Sequence, residues 1–97
     1  MTKAYWVATY RSIDNPDKLA AYAKLAGPAL AAAGGKFLAR GPAVAAWEAG
    51  ILQRVVVIEF ESADAARAAH DSPADQEALA ALGDGAVRDM RVVEGIA

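Results

Sequence analysis

Between Arg54 and Phe60 the chain reads Arg-Val-Val-Val-Ile-Glu-Phe. As a strand, it sends Arg54, Val56, Ile58 and Phe60 to one face and Val55, Val57 and Glu59 to the other, so apolar side chains lie on both. Both faces need cover. A chain of 97 residues can lay helices over one face of a sheet, and the pattern therefore predicts a second copy of the protein over the other.

The remaining elements follow from the same kind of pattern. Ala4 to Tyr10 is aromatic and β-favouring, with Tyr5, Val7 and Thr9 on one face and Trp6, Ala8 and Tyr10 on the other. Asn15-Pro16-Asp17 is a helix start: Asn15 caps, Pro16 suits the first helical position, and Asp17 complements the dipole. Leu19, Tyr22, Ala23, Ala26, Leu30 and Ala33 then form one stripe, with a kink or break expected at Gly27-Pro28 and a stop at Gly34-Gly35. Lys36 to Arg40 reads as a second strand, bent at Gly41-Pro42 and continued by Val44 to Glu48 as an irregular arm toward a turn at Ala49-Gly50. The chain returns through Arg54 to Phe60 as a hairpin. Ser62 caps a helix whose inner stripe is Ala65, Ala66, Ala69 and His70. Ser72-Pro73-Ala74-Asp75 starts another, with Asp75 placed to return a capping bond, and Leu79 and Leu82 anchor it. Ala86 to Val93 is the last strand. The order strand, helix, strand, strand, helices, strand predicts an α+β ferredoxin-like sandwich in a single domain over 1–97, a four-stranded antiparallel sheet with helices on one face.

Composition narrows the core and the partners. Hydrophobic residues make up 56% of the chain, yet alanine supplies much of that and buries little area per residue. The core is expected to rest on Tyr5, Trp6, Tyr10, Leu19, Tyr22, Leu30, Phe37, Trp47, the central strand, Leu79, Leu82, Met90 and Val92. A formal charge of −2 without a basic run implies neither nucleic acid nor an anionic membrane as partner. With no cysteine, disulfides and thiolate chemistry are excluded. The N-terminal segment lacks signal-peptide features, and no apolar run approaches the roughly 18 residues of a spanning helix, so the cytoplasm is the expected compartment.

Taken together, Tyr5-Trp6, Pro28, Gly34-Gly35, Phe37 to Gly41, Arg54 with Val57 to Phe60, Ser72-Pro73 with Gln76, and Val93-Glu94-Gly95 resemble the family called domain of unknown function 1330. The resemblance implies the dimeric α/β-barrel superfamily, in which two ferredoxin-like subunits pack sheet against sheet and often enclose a small-molecule pocket. Cofactor-independent monooxygenases and small isomerases also belong there, but kinship of fold does not carry an activity across. Relatives often have tyrosine around Ser72-Pro73, where this chain has His70 and Asp75.

Glu59 is the polar residue of an otherwise apolar strand. It is either an acid or base made available by burial or half of a structural ion pair, with Arg40 on the neighbouring strand as the expected partner. His70, the one imidazole, is the natural proton carrier near neutrality or a dipole-compensating residue at a helix end. Arg54 and Arg88 suit a ligand carboxylate or a structural pairing at strand ends. Tyr5, Trp6, Tyr22 and Trp47 suit the wall of an apolar pocket. Catalytic candidates are thus Glu59 and His70, and ligand-binding candidates are Arg40, Arg54, Tyr5 and Trp6. No metal site or cofactor motif is present in the pattern. Two functions remain open: a homodimer binding a small metabolite and performing cofactor-free acid/base chemistry, or a non-catalytic ligand-binding or assembly module.

Overall fold

The computed structural model describes residues 2–96. Strands β1 (Ala4–Ile13), β2 (Lys36–Pro42), β3 (Arg54–Phe60) and β4 (Ala86–Glu94) form one antiparallel sheet in the order β2-β3-β1-β4. Helices α1 (Pro16–Ala32), α2 (Ala63–Asp71) and α3 (Pro73–Leu82) complete the ferredoxin-like α+β arrangement. No helix among the described residues is long and apolar enough to cross a membrane.

The helix starts form as their sequences dictate. The Asn15 carboxamide oxygen accepts from the amides of Asp17 and Lys18, each at 3.1 Å. Ser62 accepts from Ala65 at 3.0 Å, and Ser72 accepts from Asp75 at 3.3 Å while its hydroxyl donates to the Ala69 carbonyl. The expected return bond from the Asp75 carboxylate is absent, because that side chain turns inward and neither oxygen has a partner. At the other end of α1, Gly34 takes φ +96°, and the Gly35 and Gly34 amides donate to Leu30 and Ala31, closing the turn as a left-handed glycine allows. Gly27-Pro28 does not break α1. Pro28 and Lys24, whose carbonyl loses its helical donor, both lie on the exposed side, where water can satisfy the freed group.

Alternation divides the sheet. Ala4, Trp6, Ala8 and Tyr10 of β1 and Val56, Ile58 and Phe60 of β3 are buried beneath the helices, against Tyr22, Ala26 and Leu30 of α1, Ala66 and Ala69 of α2, and Ala78 and Leu82 of α3. Each large apolar side chain taken fully out of water contributes roughly 1.5–3 kcal/mol. The opposite face, with Tyr5, Val7, Thr9, Val55, Val57 and Glu59, has no helix over it and remains partly exposed. Three core expectations fail, Tyr5 of the open face among them. Trp47 is 78% exposed, because Val44 to Glu48 forms a loop and not a strand. Its turn, closed by the Gly50 amide on the Trp47 carbonyl, is tethered by Arg11 donating to the Ala49 carbonyl at 3.2 Å. Val92 is also exposed, at the rim of the edge strand.

At Gly35, in the turn between α1 and β2, the backbone lies directly against the core. A Cβ there would lie 2.9 Å from Ile58 Cγ2, from the Leu30 carbonyl oxygen and from the Phe60 ring. Gly35→Ala is expected to destabilise the protein by about 1–3 kcal/mol through overpacking. Urea unfolding checks this, and an unchanged midpoint would refute the close approach.

Candidate functional site

The sheet register assembles the site. On the helix-covered face Tyr10 pairs with Arg88 of β4, and its β3 neighbour is Arg54, one step beyond the Thr9–Val55 pair. The next row holds Arg40, Val56, Ala8 and Met90, and the one after it Phe37, Ile58, Trp6 and Val92. Three arginines thus converge at one end of a face that is otherwise apolar. Above them α1 presents Tyr22, Ala23, Ala26, Gly27 and Leu30, and the small residues leave a cleft between helix and sheet lined by all these groups. The cleft has a volume of about 30 Å³, room for about two ordered waters, and is partly open to solvent.

The arginines meet aromatic faces. The Arg54 and Arg88 guanidiniums stand 5.9 and 5.6 Å from the centre of the Tyr10 ring, Arg88 stands 4.8 Å from that of Tyr22, and Arg40 lies 5.0 Å from that of Phe37. Arg88 also donates to the Tyr22 hydroxyl oxygen at 3.0 Å. Among the described residues none of the three forms an ion pair with a carboxylate. The Arg54 Nε is buried without an acceptor. Burial pushes the Tyr22 phenol above its ordinary range, with the Arg88 charge and hydrogen bond pulling the other way. Tyr22 is accordingly a neutral hydroxyl at physiological pH. Since its oxygen accepts from Arg88, its own proton is free to be donated.

Near Arg88 lies the carboxyl of Asp75, which is 0% exposed. Burial raises its pKa above the ordinary carboxylate value, opposed by the charges of His70 and then Arg88. Sequence reasoning missed it, because aspartate three residues after a Ser-Pro helix start reads as a surface cap.

The expected pairing of Glu59 with Arg40 is corrected by the sheet register: Glu59 is opposite Lys36, Arg40 is opposite Val56, and a shift between them puts the two on different faces. In β2, Phe37 opposes Ile58 but Ala39 opposes Val57, so Leu38 is an extra residue in the ladder. Arg40 therefore moves to the helix-covered face, while Glu59 stays on the open one. There Glu59 lies 3.6 Å from Lys3 Nζ and accepts from the Tyr5 hydroxyl at 3.5 Å. Tyr5 shares that face and does not reach the cleft. His70 lies apart from both, exposed at the end of α2, with Nδ1 3.1 Å from Asp71 Oδ1. It stands 5.8 Å from the Trp6 ring, in a shallow groove between α2 and β4. Of the ligand-binding candidates, Arg40, Arg54 and Trp6 come together in the cleft. Glu59, His70 and Arg40 occupy three separate places. Among the described residues no cluster of three metal-ligating side chains occurs.

The family described as Domain of unknown function (DUF1330) matches residues 3–96, and the chain belongs to it. No curated protein matches. Among solved structures, RPA0582, a protein of unknown function from Rhodopseudomonas palustris, is similar at 22% identity and TM-score 0.70, covering 96% of this chain and 80% of its own. SnoaB, a cofactor-independent oxygenase from Streptomyces nogalater, is similar at 16% identity and TM-score 0.65, covering 100% and 96%. A dimeric ferredoxin-like protein of unknown function from Thermobifida fusca has 22% identity and TM-score 0.55, covering 97% and 90%. At these identities the likeness establishes the fold.

Asp75 makes a signed prediction. Because folding raises its pKa above the ordinary 3.8, the native state holds this proton more tightly than the unfolded chain. Its contribution is most favourable below the unfolded pKa and is lost as pH rises through the folded one. Asp75→Asn should remove that loss, so the variant gains stability over the wild type on going from acid to neutral pH. Denaturant titrations across that range check it; parallel curves would show that Asp75 does not carry the effect.

Proposed function

We propose that this DUF1330 protein is a homodimeric small-molecule-binding protein whose ligand enters the cleft between α1 and the sheet, the two subunits packing through their open sheet faces. The observation that carries the binding reading is the cleft's make-up: cations and aromatic rings without carboxylate counter-charges, under a helix kept thin by Ala23, Ala26 and Gly27. Support for the dimer comes from Tyr5, Val7, Val55 and Val57, which one subunit leaves without a covering helix. The dimeric relative from Thermobifida fusca with the same fold adds to it. Glu59, with Lys3 and Tyr5, orders the dimer seam in this reading, and His70 serves the end of α2.

The competing reading, cofactor-free acid/base chemistry through Glu59, His70 and Arg40, needs groups that one subunit keeps apart. Glu59→Gln separates the two. It should leave cleft binding unchanged and at most weaken association; loss of a turnover reaction at unchanged fold would favour the enzyme.

Two measurements test the proposal directly. Sedimentation should give a dimer at micromolar concentration, and Val57→Lys should give a folded monomer by the same measurement and far-ultraviolet circular dichroism. A wild-type monomer would sink the assembly. In an NMR screen of charged and neutral small aromatic compounds, binders should shift the amides of Ala23, Ala26 and Gly27, and shifts confined to other surfaces would sink the cleft.

A further inference from the structure

We infer that the cleft's occupant is a small organic anion, a carboxylate on a flat aromatic or conjugated body, held by Arg40, Arg54 and Arg88 with the Tyr22 hydroxyl as a further donor. This rests on the proposed binding cleft and narrows it to a class of ligand.

Electrostatic imbalance is the first argument. Arg54 and Arg88 flank one tyrosine ring on adjacent strands of β1, and Arg40 lies one row away, on the same face. Three like charges at one end of a half-buried cleft repel one another, and ring faces compensate a guanidinium less well than a carboxylate does. The carboxyl acting on Arg88 is Asp75, whose burial opposes its ionisation and whose oxygens make no hydrogen bond. An entering anion supplies the missing charge.

Unused donors are the second argument. The buried Arg54 Nε has no acceptor, and a buried donor without a partner forfeits the hydrogen bond that water would have given it. The Tyr22 hydroxyl accepts from Arg88, which leaves its proton for a ligand. A carboxylate is an acceptor only and can take donors from both kinds of group. Size and surface then set the remainder of the ligand. The cleft's volume of about 30 Å³ admits a carboxylate-sized group and not a ring, so the body lies outside it, beside Phe37, the partly exposed ring of the lining, whose face favours a flat partner.

Calorimetric titration of the full-length protein with benzoate, benzamide and acetate separates charge from ring. Benzoate should bind about tenfold or more tightly than either of the others, since it alone offers both features, and added salt should weaken it. Arg54→Met should lower benzoate affinity by about tenfold and leave benzamide unaffected. Its thermal midpoint should hold or rise, because one of three like charges is gone; Arg40→Met should behave likewise. Benzamide binding as tightly as benzoate, acetate doing the same, a benzoate preference that survives both substitutions, or no benzoate binding at millimolar concentration each overturns the anion class. A lower thermal midpoint in both variants also overturns it, since that result assigns the arginines to the fold. The cleft itself would still stand if a neutral compound shifts the Ala23, Ala26 and Gly27 amides.

Discussion

Two neighbouring strands with apolar side chains on both faces set the terms for everything else in this protein. β1 and β3 occupy the middle of the sheet, and the period of two sends Trp6, Ile58 and Phe60 under the helices while Val7, Val55 and Val57 go to the far side. Three helices of 17, 9 and 10 residues lie on one side, and alanines bring α2 close to the sheet and α3 close to α1. Among the described residues no helix lies over the other face, where only the loop of residues 43–51 lies near Thr9, Arg11 and Val55. The same alternation therefore puts the arginine-lined cleft on one side of the sheet and the uncovered apolar side chains on the other, without any residue having to serve both.

The charges follow that division. On the open face the Glu59 carboxylate lies near Lys3, and Asp89 receives two bonds from Arg91 at 3.1 Å each. Such pairs, partly exposed, contribute little to the stability of a lone subunit. On the covered face the arginines are held by rings and a phenol instead. A protein selected for stability alone would place apolar residues or carboxylates at those positions.

Much of this was legible in the sequence because it depended on local rules. The faces of β1 and β3, the caps at Asn15, Ser62 and Ser72, and the glycine stop at Gly34 need only alternation, short polar side chains and a positive φ. What could not be read depended on pairing between distant segments. Leu38, 49% exposed, shifts the β2 ladder by one, and that extra residue moves Arg40 from the face of Glu59 to the face of Arg54; in either register Lys36, and not Arg40, stands opposite Glu59. Trp47 reads as core by composition, yet it sits exposed on a loop that meets the open face of the sheet near Thr9, Arg11 and Val55 without being covered there. Asp75 carries the signature of an ordinary cap, and its burial comes from how α3 packs against α1.

That single bulge also explains why the arginine cleft belongs to the fold rather than to a chance grouping. Three strands contribute one guanidinium each, and each depends on a different registration: Arg88 on the pairing of β4 with Tyr10, Arg54 on the pairing of β3 with Thr9, and Arg40 on the shift at Leu38. A slip of one residue in any of the three would carry its charge to the open face, where solvent or the nearby carboxylates could compensate it more cheaply. The fold holds all three on the helix-covered side, Arg54 and Arg88 half-buried there and Arg40 at its exposed edge. Local stability does not account for that choice, whereas the proposed anion site would.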